Sequence, residues 1–261
     1  MSGDTVVRRA GRRIAVLLEY DGTAYCGSQY QANGPSIQSE LESAINNLTA
    51  ERVRVAFAGR TDAGVHALGQ VAAFDTSTAI ALESVVAGLN HFLPEDIAVK
   101  RAADVDRGFD PRRDAKNRVY AYRIDNRPLR SPLLRDRVWH VDRPLDVAAM
   151  QRAARRLEGA HDFAAFAPPF DGRTERTLRR CEIIGSCEQL TVRMEAQAFL
   201  PHQVRRTVGP IVEVGLGRLT EETLVELLDA AEPSTAGPAA PPCGLYLAHI
   251  EYYGLDFGSE G

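Results

Sequence analysis

From Val53 to Phe74 the chain reads VRVAFAGRTDAGVHALGQVAAF, a polar, glycine-containing turn between two apolar runs. Before the turn, apolar side chains recur at every second residue, and after it four apolar residues follow, so both runs are predicted to be buried strands. Two glycines bracket Arg60 and Asp62, which lets the backbone bend sharply and allows another molecule to approach closely. The stretch predicts a carboxylate on a turn between two strands. An Asp62 that only caps its own turn fits the local pattern equally well.

Working outward from this turn, hydrophobic periodicity and turn signals predict the remaining elements. Strands are predicted at residues 14–20, 53–58, 71–74, 97–100, 119–124, 177–184, 190–198 and 245–252. Helices are predicted at residues 37–48, 82–90, 147–157, 204–214 and 222–228. A capping box at Ser36, with Ser39 or Glu40 as its second member, starts the first helix.

The first six elements run strand, helix, strand, strand, helix, strand, which is the order of a split βαβ or ferredoxin-like unit. After a basic connector the same order recurs more loosely, although the two halves show no obvious residue-level repeat. We therefore predict an α+β protein built from two ferredoxin-like halves, residues 1–110 and 111–261. A cleft between the halves is the natural place for a ligand.

Composition is that of an ordinary globular protein: 261 residues, 44% hydrophobic and 25% charged. The arginines near the N-terminus are not followed by an apolar segment with a cleavage site, so secretion is not expected. No run is long and apolar enough for a membrane span. The cysteines form no Cys-x-x-Cys pair, which predicts reduced thiols in a cytoplasmic protein; they are Cys26, Cys181, Cys187 and Cys243.

A net charge of −4 argues at first against a nucleic-acid partner, but the bases are clustered. Between Asp110 and Arg137 bases outnumber acids, and a second basic cluster lies between Arg173 and Arg180. Phosphate binding is local, because salt screens charges beyond roughly 10 Å. Nearly every base is arginine, which suits bidentate phosphate contacts. Genome composition explains the arginine excess equally well.

The residues that could carry chemistry are few. The candidates are Asp62, Arg60, Tyr120, Arg205, His66, His161 with Asp162, and His202. His66 follows Asp62 by four residues on a turn instead of a helix face, so no metal site is predicted. No phosphate or dinucleotide loop is present, so no cofactor is predicted. A carboxylate beside guanidinium groups stays ionised and can act as a nucleophile.

Two further segments have alternative interpretations. Alternation along the strand at 119–124 puts Tyr120 and Tyr122 on one face, either as core aromatics or, for Tyr120, as a ring that stacks on an unstacked base. His161 and Asp162 are expected to cap or pack a turn. The Pro- and Ala-rich segment 233–244 is either a linker or an ordered loop near the site, and its position before an apolar strand favours the loop. Residues 256–261 are expected to fray.

Gly59–Gln70 as a whole resembles the central signature of the TruA family, the tRNA pseudouridine synthases that act on the anticodon stem-loop. The resemblance extends over nearly the whole chain, in segments that share the family's other motifs. These are Tyr20–Thr23, Leu89–Asn90 with Leu93–Ile97, Arg118–Tyr122, His161–Phe163 with Phe166, Phe199–Arg205 and Gly244–Leu247.

The resemblance implies two ferredoxin-like halves that share a mixed, largely antiparallel sheet with a central cleft, in a homodimer. It implies that uridine becomes pseudouridine at positions 38 to 40 of tRNA without a cofactor. By this resemblance Asp62 is the catalytic aspartate, Arg60 helps to extrude the target uridine, and Tyr120 stacks on the uracil. Arg205 is the partner of Asp62, and Leu245 lines the uracil pocket.

The implied reaction breaks the N1 glycosidic bond, turns the uracil and rejoins it through C5. Asp62 either attacks C1′ of the ribose or removes a proton from C2′. Tyr120 is the candidate base for the C5 proton, but an ordinary phenol pKa near 10 requires help from Arg205 or from a water relay.

The chain departs from the family pattern in two places, both expected near RNA. Gly27-Ser28-Gln29 stands where the family often has Gly-Trp-Gln, and Phe109–Asp114 differs from the usual Phe-His-Ala-Arg-Phe-Ser. Two other functions are alternatives: a catalytically silent RNA-binding module, and a metal-dependent hydrolase or nuclease that uses Asp62 with His66.

Overall fold

The computed structural model describes residues 11–32, 34–169, 171–186, 188–255 and 257. Its N-terminal half consists of β1 (Arg12–Tyr20), α1 (Ile37–Thr49), β2 (Ala56–Phe57), β3 (His66–Thr76), α2 (Leu82–Phe92) and β4 (Ile97–Val105). The strands pair in the order β4-β1-β3-β2, and every pair is antiparallel. This is the strand order of a ferredoxin-like unit.

The C-terminal half repeats this arrangement with additions. It consists of β5 (Ala115–Asp125), β6 (Trp139–His140), α3 (Val147–Arg156), β7 (Gly159–Asp162), β8 (Glu175–Gly185), β9 (Gln189–Ala196), α4 (Gln203–Gly215), α5 (Glu221–Ala230) and β10 (Leu245–Tyr252). Its strands pair antiparallel in the order β10-β5-β9-β8-β7, while β6 lies parallel to the end of β5. The first four of these strands have the same order as the N-terminal half.

A short parallel contact joins the halves into one sheet. His66 and Ala67 at the start of β3 lie opposite Tyr246 and Leu247 of β10. The turn that carries Asp62 ends where this contact begins, so the first half's turn lies against the second half's strands. The predicted α+β fold, two ferredoxin-like halves in one mixed sheet, is confirmed. The division at residue 110 stays a prediction.

Local sequence explains where α1 begins and which face it buries. The side chains of Ser36 and Ser39 each accept a hydrogen bond from the other residue's amide, at 3.1 and 3.0 Å, so the capping box uses Ser39 and not Glu40. The apolar residues at helical spacing are buried: Ile37, Leu41, Ala44 and Ile45.

The predicted strand at 53–58 is largely wrong. Only Ala56–Phe57 pairs with β3, because the amide of Val55 donates instead to the carboxylate of Glu42 on α1, at 3.0 Å. Conversely, β3 begins at His66, five residues before the predicted strand, because its first two residues pair with β10 and Ala67 also pairs with Tyr20 of β1. The short strands β6 and β7 were not predicted. Cys187 and nearly all of the segment expected to fray lie outside the described residues.

In the described part of the chain, none of the helices combines the length and apolar character needed to cross a membrane.

Candidate active site

A fully buried glutamine fixes the start of the loop that carries Asp62. Gln70 of β3 accepts a hydrogen bond from the amide of Gly59 (3.2 Å) and donates one to its carbonyl (2.7 Å). The phenol of Tyr20 lies 2.8 Å from the hydroxyl of Thr61 and 3.4 Å from Gln70 Nε2. The loop backbone is therefore held by side chains of the sheet, and Asp62 is positioned before any substrate binds.

Two glycines shape this loop, one through its own backbone conformation and the other through a close contact. Gly64 has a φ of +76° in the turn where the amide of Val65 donates to the carbonyl of Asp62 at 3.1 Å. Gly27, with a φ of +107°, packs against the loop so closely that a Cβ atom would lie 2.6 Å from the carbonyl oxygen of Thr61. A side chain at residue 27 would displace the backbone next to Asp62.

The two departures from the family pattern have different surroundings. Ser28 is fully buried, and its hydroxyl accepts a hydrogen bond from the amide of Thr61 at 2.9 Å, so it supports the loop. Asp110 is in an exposed turn, where its carboxylate accepts hydrogen bonds from the amides of Arg112 and Arg113 at 2.9 and 3.0 Å. The second departure therefore shapes a basic turn at the surface.

The carboxylate of Asp62 contacts two cationic or ionisable groups from the second half. Its Oδ2 lies 3.1 Å from Nη1 of Arg205 and 2.7 Å from Nδ1 of His202. His202, with a φ of +57°, immediately precedes α4, and Arg205 is in its first turn. Arg205 also donates from Nε to the carbonyl of Ala240 at 2.7 Å, and the amide of Ala240 donates back at 3.0 Å. The segment 233–244 is thus an ordered loop beside the site.

These groups open onto a cavity of about 590 Å³ between the two halves. It brings together all five site residues expected from the resemblance: Asp62, Arg60, Tyr120, Arg205 and Leu245. The first half contributes the loop, and the second contributes β5, the start of α4 and the start of β10. Arg112, Arg118 and Arg176 also line the cavity, so its wall is basic although the net charge of the chain is negative.

Tyr120 projects into this cavity with its ring edge-on to that of Phe199, at 5.2 Å between ring centres. Burial raises the pKa of the Tyr120 phenol well above its usual value, and the nearby Arg118 guanidinium only partly opposes this. The guanidinium that acts on the phenol is that of Arg118 and not the expected Arg205. A phenol with a raised pKa stays protonated and is therefore a poor proton acceptor, whereas its ring is available for stacking.

Arg118 had no predicted role in the site, since it was named only as a base of a cluster and as the first residue of the Arg118–Tyr122 motif. It is buried and donates hydrogen bonds to the carbonyls of Ala58 (2.9 Å), Arg112 (2.7 Å) and Gln197. Its charge faces Tyr120, and no ion pair to a carboxylate is found for it within the described residues. Arg123 lies in the same strand and is exposed, so residue type alone gave no signal that set Arg118 apart.

His66 has no part in the cavity. Its ring is buried, Nδ1 accepts a hydrogen bond from the amide of Gly22 (3.1 Å), and Nε2 lies 3.1 Å from the carbonyl of Cys243. The ring stacks on Tyr246, with 4.7 Å between centres. The pairing of Asp62 with His66 that a hydrolase would need is therefore absent.

The remaining histidine candidate plays a local role. His161 Nε2 contacts the carbonyl of Glu158 at 3.0 Å, and Asp162 accepts a hydrogen bond from the amide of Ala164 at 2.9 Å, as expected for a capped turn. Among the residues that the structure describes, no group of three or more His, Cys, Asp or Glu side chains is placed to hold a metal ion.

A carboxylate on a fixed loop, with arginines and an aromatic ring in a basic cavity, is a site suited to RNA. The family model described as tRNA pseudouridine synthase matches residues 16–112 and 153–253. These two segments include the Asp62 loop, Arg205 and Leu245. They place the chain in the class of tRNA pseudouridine synthases, enzymes that isomerise uridine in tRNA.

Individual relatives narrow this class. The chain is 48% identical over 243 residues to the tRNA pseudouridine synthase A of Myxococcus xanthus, covering 92% of each chain. It is 46% identical to that of Geobacter sulfurreducens, covering 92% of this chain and 100% of the relative, and 45% identical to that of Roseiflexus castenholzii, covering 92% and 91%. The chain belongs to the tRNA pseudouridine synthase A, or TruA, family. It is an isomerase, and tRNA is its substrate; the alternative of a catalytically silent RNA-binding module is set aside.

Proposed function

We propose that this protein converts uridine to pseudouridine in the anticodon stem-loop of tRNA, at positions 38 to 40, with Asp62 as the catalytic carboxylate. The observation that carries the proposal is the position of Asp62. Its carboxylate opens onto the cavity between the halves while Arg205 and His202 contact a single oxygen, Oδ2. Oδ1 is left to face a ribose.

The target nucleotide must leave the stack before Asp62 reaches it, which costs a few kcal/mol. Arg60 supports this step because its exposed guanidinium lines the cavity, and within the described residues no hydrogen bond or ion pair engages it. Phosphate contacts by Arg60, Arg112 and Arg176 offset the cost of unstacking. Tyr120 then stacks on the extruded uracil, and Leu245 forms the apolar floor of its pocket.

In the reaction the N1–C1′ bond breaks, a C5–C1′ bond forms, N1 gains a proton and C5 loses one. The Asp62 carboxylate either adds to C1′ or removes the C2′ proton, and Arg205 orients it through its hydrogen bond to Oδ2 in both routes. Tyr120 lines the cavity and is the candidate to accept the C5 proton. Because burial raises the pKa of its phenol, we assign Tyr120 primarily to stacking, with proton transfer dependent on Arg118.

Tritium release tests the assignment. Unmodified tRNA carrying 5-tritiated uridine is incubated with the wild type and with Asp62→Asn, without metal or nucleotide. We expect release by the wild type at a uridine of the anticodon arm and none by the variant. No release by the wild type, or equal release by both proteins, would sink the proposal. The expected homodimer is a separate proposal, which light scattering tests.

A further inference from the structure

A second, smaller cavity of about 300 Å³ lies on the other side of Arg60 from the uracil pocket. It is lined by Tyr30, Arg54 and the segment 55–57, and it shares Arg60 and Arg112 with the larger cavity. An RNA strand bound in one cavity therefore contacts Arg60 and Arg112, which also line the other cavity. Together the two cavities form one basic surface, which extends from the site over the N-terminal half.

Tyr30 is unusual for its exposure. The residue is 53% exposed, whereas most large apolar and aromatic residues of the described chain are packed in the core. The Arg54 guanidinium lies over the ring, 5.8 Å from its centre, and is itself held by Glu42 at 3.3 Å. An exposed aromatic face beside cationic groups is the combination that binds unpaired nucleotides, because bases stack on the ring and phosphates pair with the cations.

The position of Tyr30 is fixed by buried polar contacts. Its amide donates to Oε1 of Gln38 at 2.9 Å, and Gln38 is buried on α1. The amide group of Gln38 donates in turn to Glu42 at 2.7 Å, which also accepts the amide of Val55 at 3.0 Å. The same α1 side chains thus hold Tyr30, Arg54 and the backbone of the strand that leads to Asp62. Such support reduces the entropy lost when a ligand binds.

We propose that Tyr30, Arg54 and Arg112 form a subsite for the nucleotide next to the target uridine, stacking its base on Tyr30 and pairing its phosphate with the arginines. The proposal rests on the proposed function, since it takes the larger cavity as the place of the target uridine. Extrusion of the target breaks its stacking with both neighbours. Stacking of one neighbour on Tyr30 replaces part of what is lost and holds the RNA in the opened form.

Equilibrium binding to an anticodon-arm RNA tests the subsite. The Asp62→Asn protein serves as the background, and 2-aminopurine replaces the nucleotides on either side of the target one at a time. We expect fluorescence quenching at one flanking position, lost on adding Tyr30→Ala. The Kd rises about 5- to 150-fold, the equivalent of the roughly 1–3 kcal/mol that base–aromatic stacking contributes. Tyr30→Phe, which keeps the ring, retains both the affinity and the quenching.

Tyr253→Ala is the matched control, because Tyr253 is also an exposed tyrosine beside a cation, with Lys116 Nζ 4.6 Å from its ring centre. It lines neither cavity, so affinity and quenching stay at the wild-type level. In the active protein, which keeps Asp62, Tyr30→Ala is expected to raise KM more than it lowers kcat.

The outcomes separate the two proposals. An active wild type whose affinity and quenching are unchanged by Tyr30→Ala overturns the subsite alone. A wild type that forms no pseudouridine in the anticodon arm, while Tyr30→Ala still weakens RNA binding, overturns the proposed function and leaves the subsite standing as an RNA contact.

Discussion

Asp62 keeps 30% of its side chain exposed at the cavity, whereas His66, four residues along the same motif, keeps 2%. The partners of Asp62 are side chains that carry or can carry charge, Arg205 and His202. His66 is hydrogen-bonded to backbone groups, the amide of Gly22 and the carbonyl of Cys243, and its Nδ1 also lies 3.1 Å from Oδ1 of Asp21. One motif thus contains a carboxylate that faces the cavity and a ring that stabilises the fold.

The difference follows from where each side chain points relative to the join between the halves. His66 begins β3, whose first residues pair with β10, and it connects Gly22 of one half to Cys243 of the other. Burial lowers the pKa of His66 and favours the neutral ring, in which Nδ1 accepts from the Gly22 amide and Nε2 donates to the Cys243 carbonyl. Asp62 lies before the join, on a loop whose start is held by the hydrogen bonds of Gln70 to Gly59, and its side chain lines the cavity.

Two substitutions, one at Asp62 and one at His66, test this contrast because the first is expected to lower turnover and the second to lower stability. Asp62→Asn is expected to lower turnover by about 10²- to 10⁴-fold, as for loss of a group that acts on reacting atoms, and to change the free energy of unfolding little. His66→Leu leaves the buried Gly22 amide and the Cys243 carbonyl unsatisfied, which costs about 1–3 kcal/mol each in unfolding free energy.

Single-turnover rates and denaturant unfolding of both variants check this pair of expectations. The rate for His66→Leu is taken at a temperature where the variant is folded, so that lost stability is not counted as lost chemistry. A His66→Leu protein that is folded but as slow as Asp62→Asn would break the comparison and return His66 to the site.

The same contrast recurs on β5 between Tyr120 and Tyr122. Tyr120 lines the cavity, while the Tyr122 phenol donates to the carbonyl of Pro241 at 2.7 Å and lines none of it. Tyr120→Phe is expected to bind tRNA normally and to turn over about 10²-fold more slowly if its phenol takes the C5 proton. Tyr122→Phe, the matched control, should lose stability and keep the rate. Full activity of Tyr120→Phe would leave it a stacking role only.

Arg205 tests whether the charged surroundings of Asp62 matter. Removing its guanidinium with Arg205→Met deletes a charge-assisted hydrogen bond worth about 1.5–3 kcal/mol, so kcat falls roughly 10- to 150-fold. Arg205→Lys keeps the charge but loses the contact to Ala240 and recovers part of the rate. Wild-type kcat in both variants would mean that Asp62 needs no ionic partner.

Much of this architecture was predictable from the sequence because it depends on local pattern. The element order and the Ser36 capping box follow from periodicity and turn residues, and the order alone indicated two ferredoxin-like halves. The parallel contact of β3 with β10 was not predictable, because it joins residues far apart in the chain and is only two residue pairs long. The role of Ser28 was missed for the same reason, since only the folded chain brings it to Thr61.

For the site, local reasoning identified Asp62 but left it evenly divided between a turn cap and a functional carboxylate. Arg205 and Tyr120 were candidates whose roles came from the resemblance, and the structure brings all three residues to one cavity. His202 was a candidate without an assigned role. Its contact with Asp62 is made from a left-handed backbone conformation, which the residue pattern did not predict. Arg118 was hidden among other arginines because burial, and not residue type, distinguishes it.

The smallest expected effect is a pH dependence of stability that belongs to His66 and not to the cavity. Burial lowers the pKa of His66 below its usual value of 6.5, and the carboxylate of Asp21 opposes this only in part. The unfolded chain therefore binds a proton that the folded chain does not, so the free energy of unfolding falls as pH drops below about 6.5, by about 1.4 kcal/mol for each unit of depression. Asp21, whose pKa lies below 3.8, contributes only at more acid pH.

Denaturant unfolding between pH 7.5 and 5 should show this slope in the wild type and in His249→Gln, which removes an exposed histidine of β10, and a flatter curve in His66→Gln. An equal slope in His66→Gln would show that the imidazole is not the buried neutral group on which the contrast with Asp62 depends.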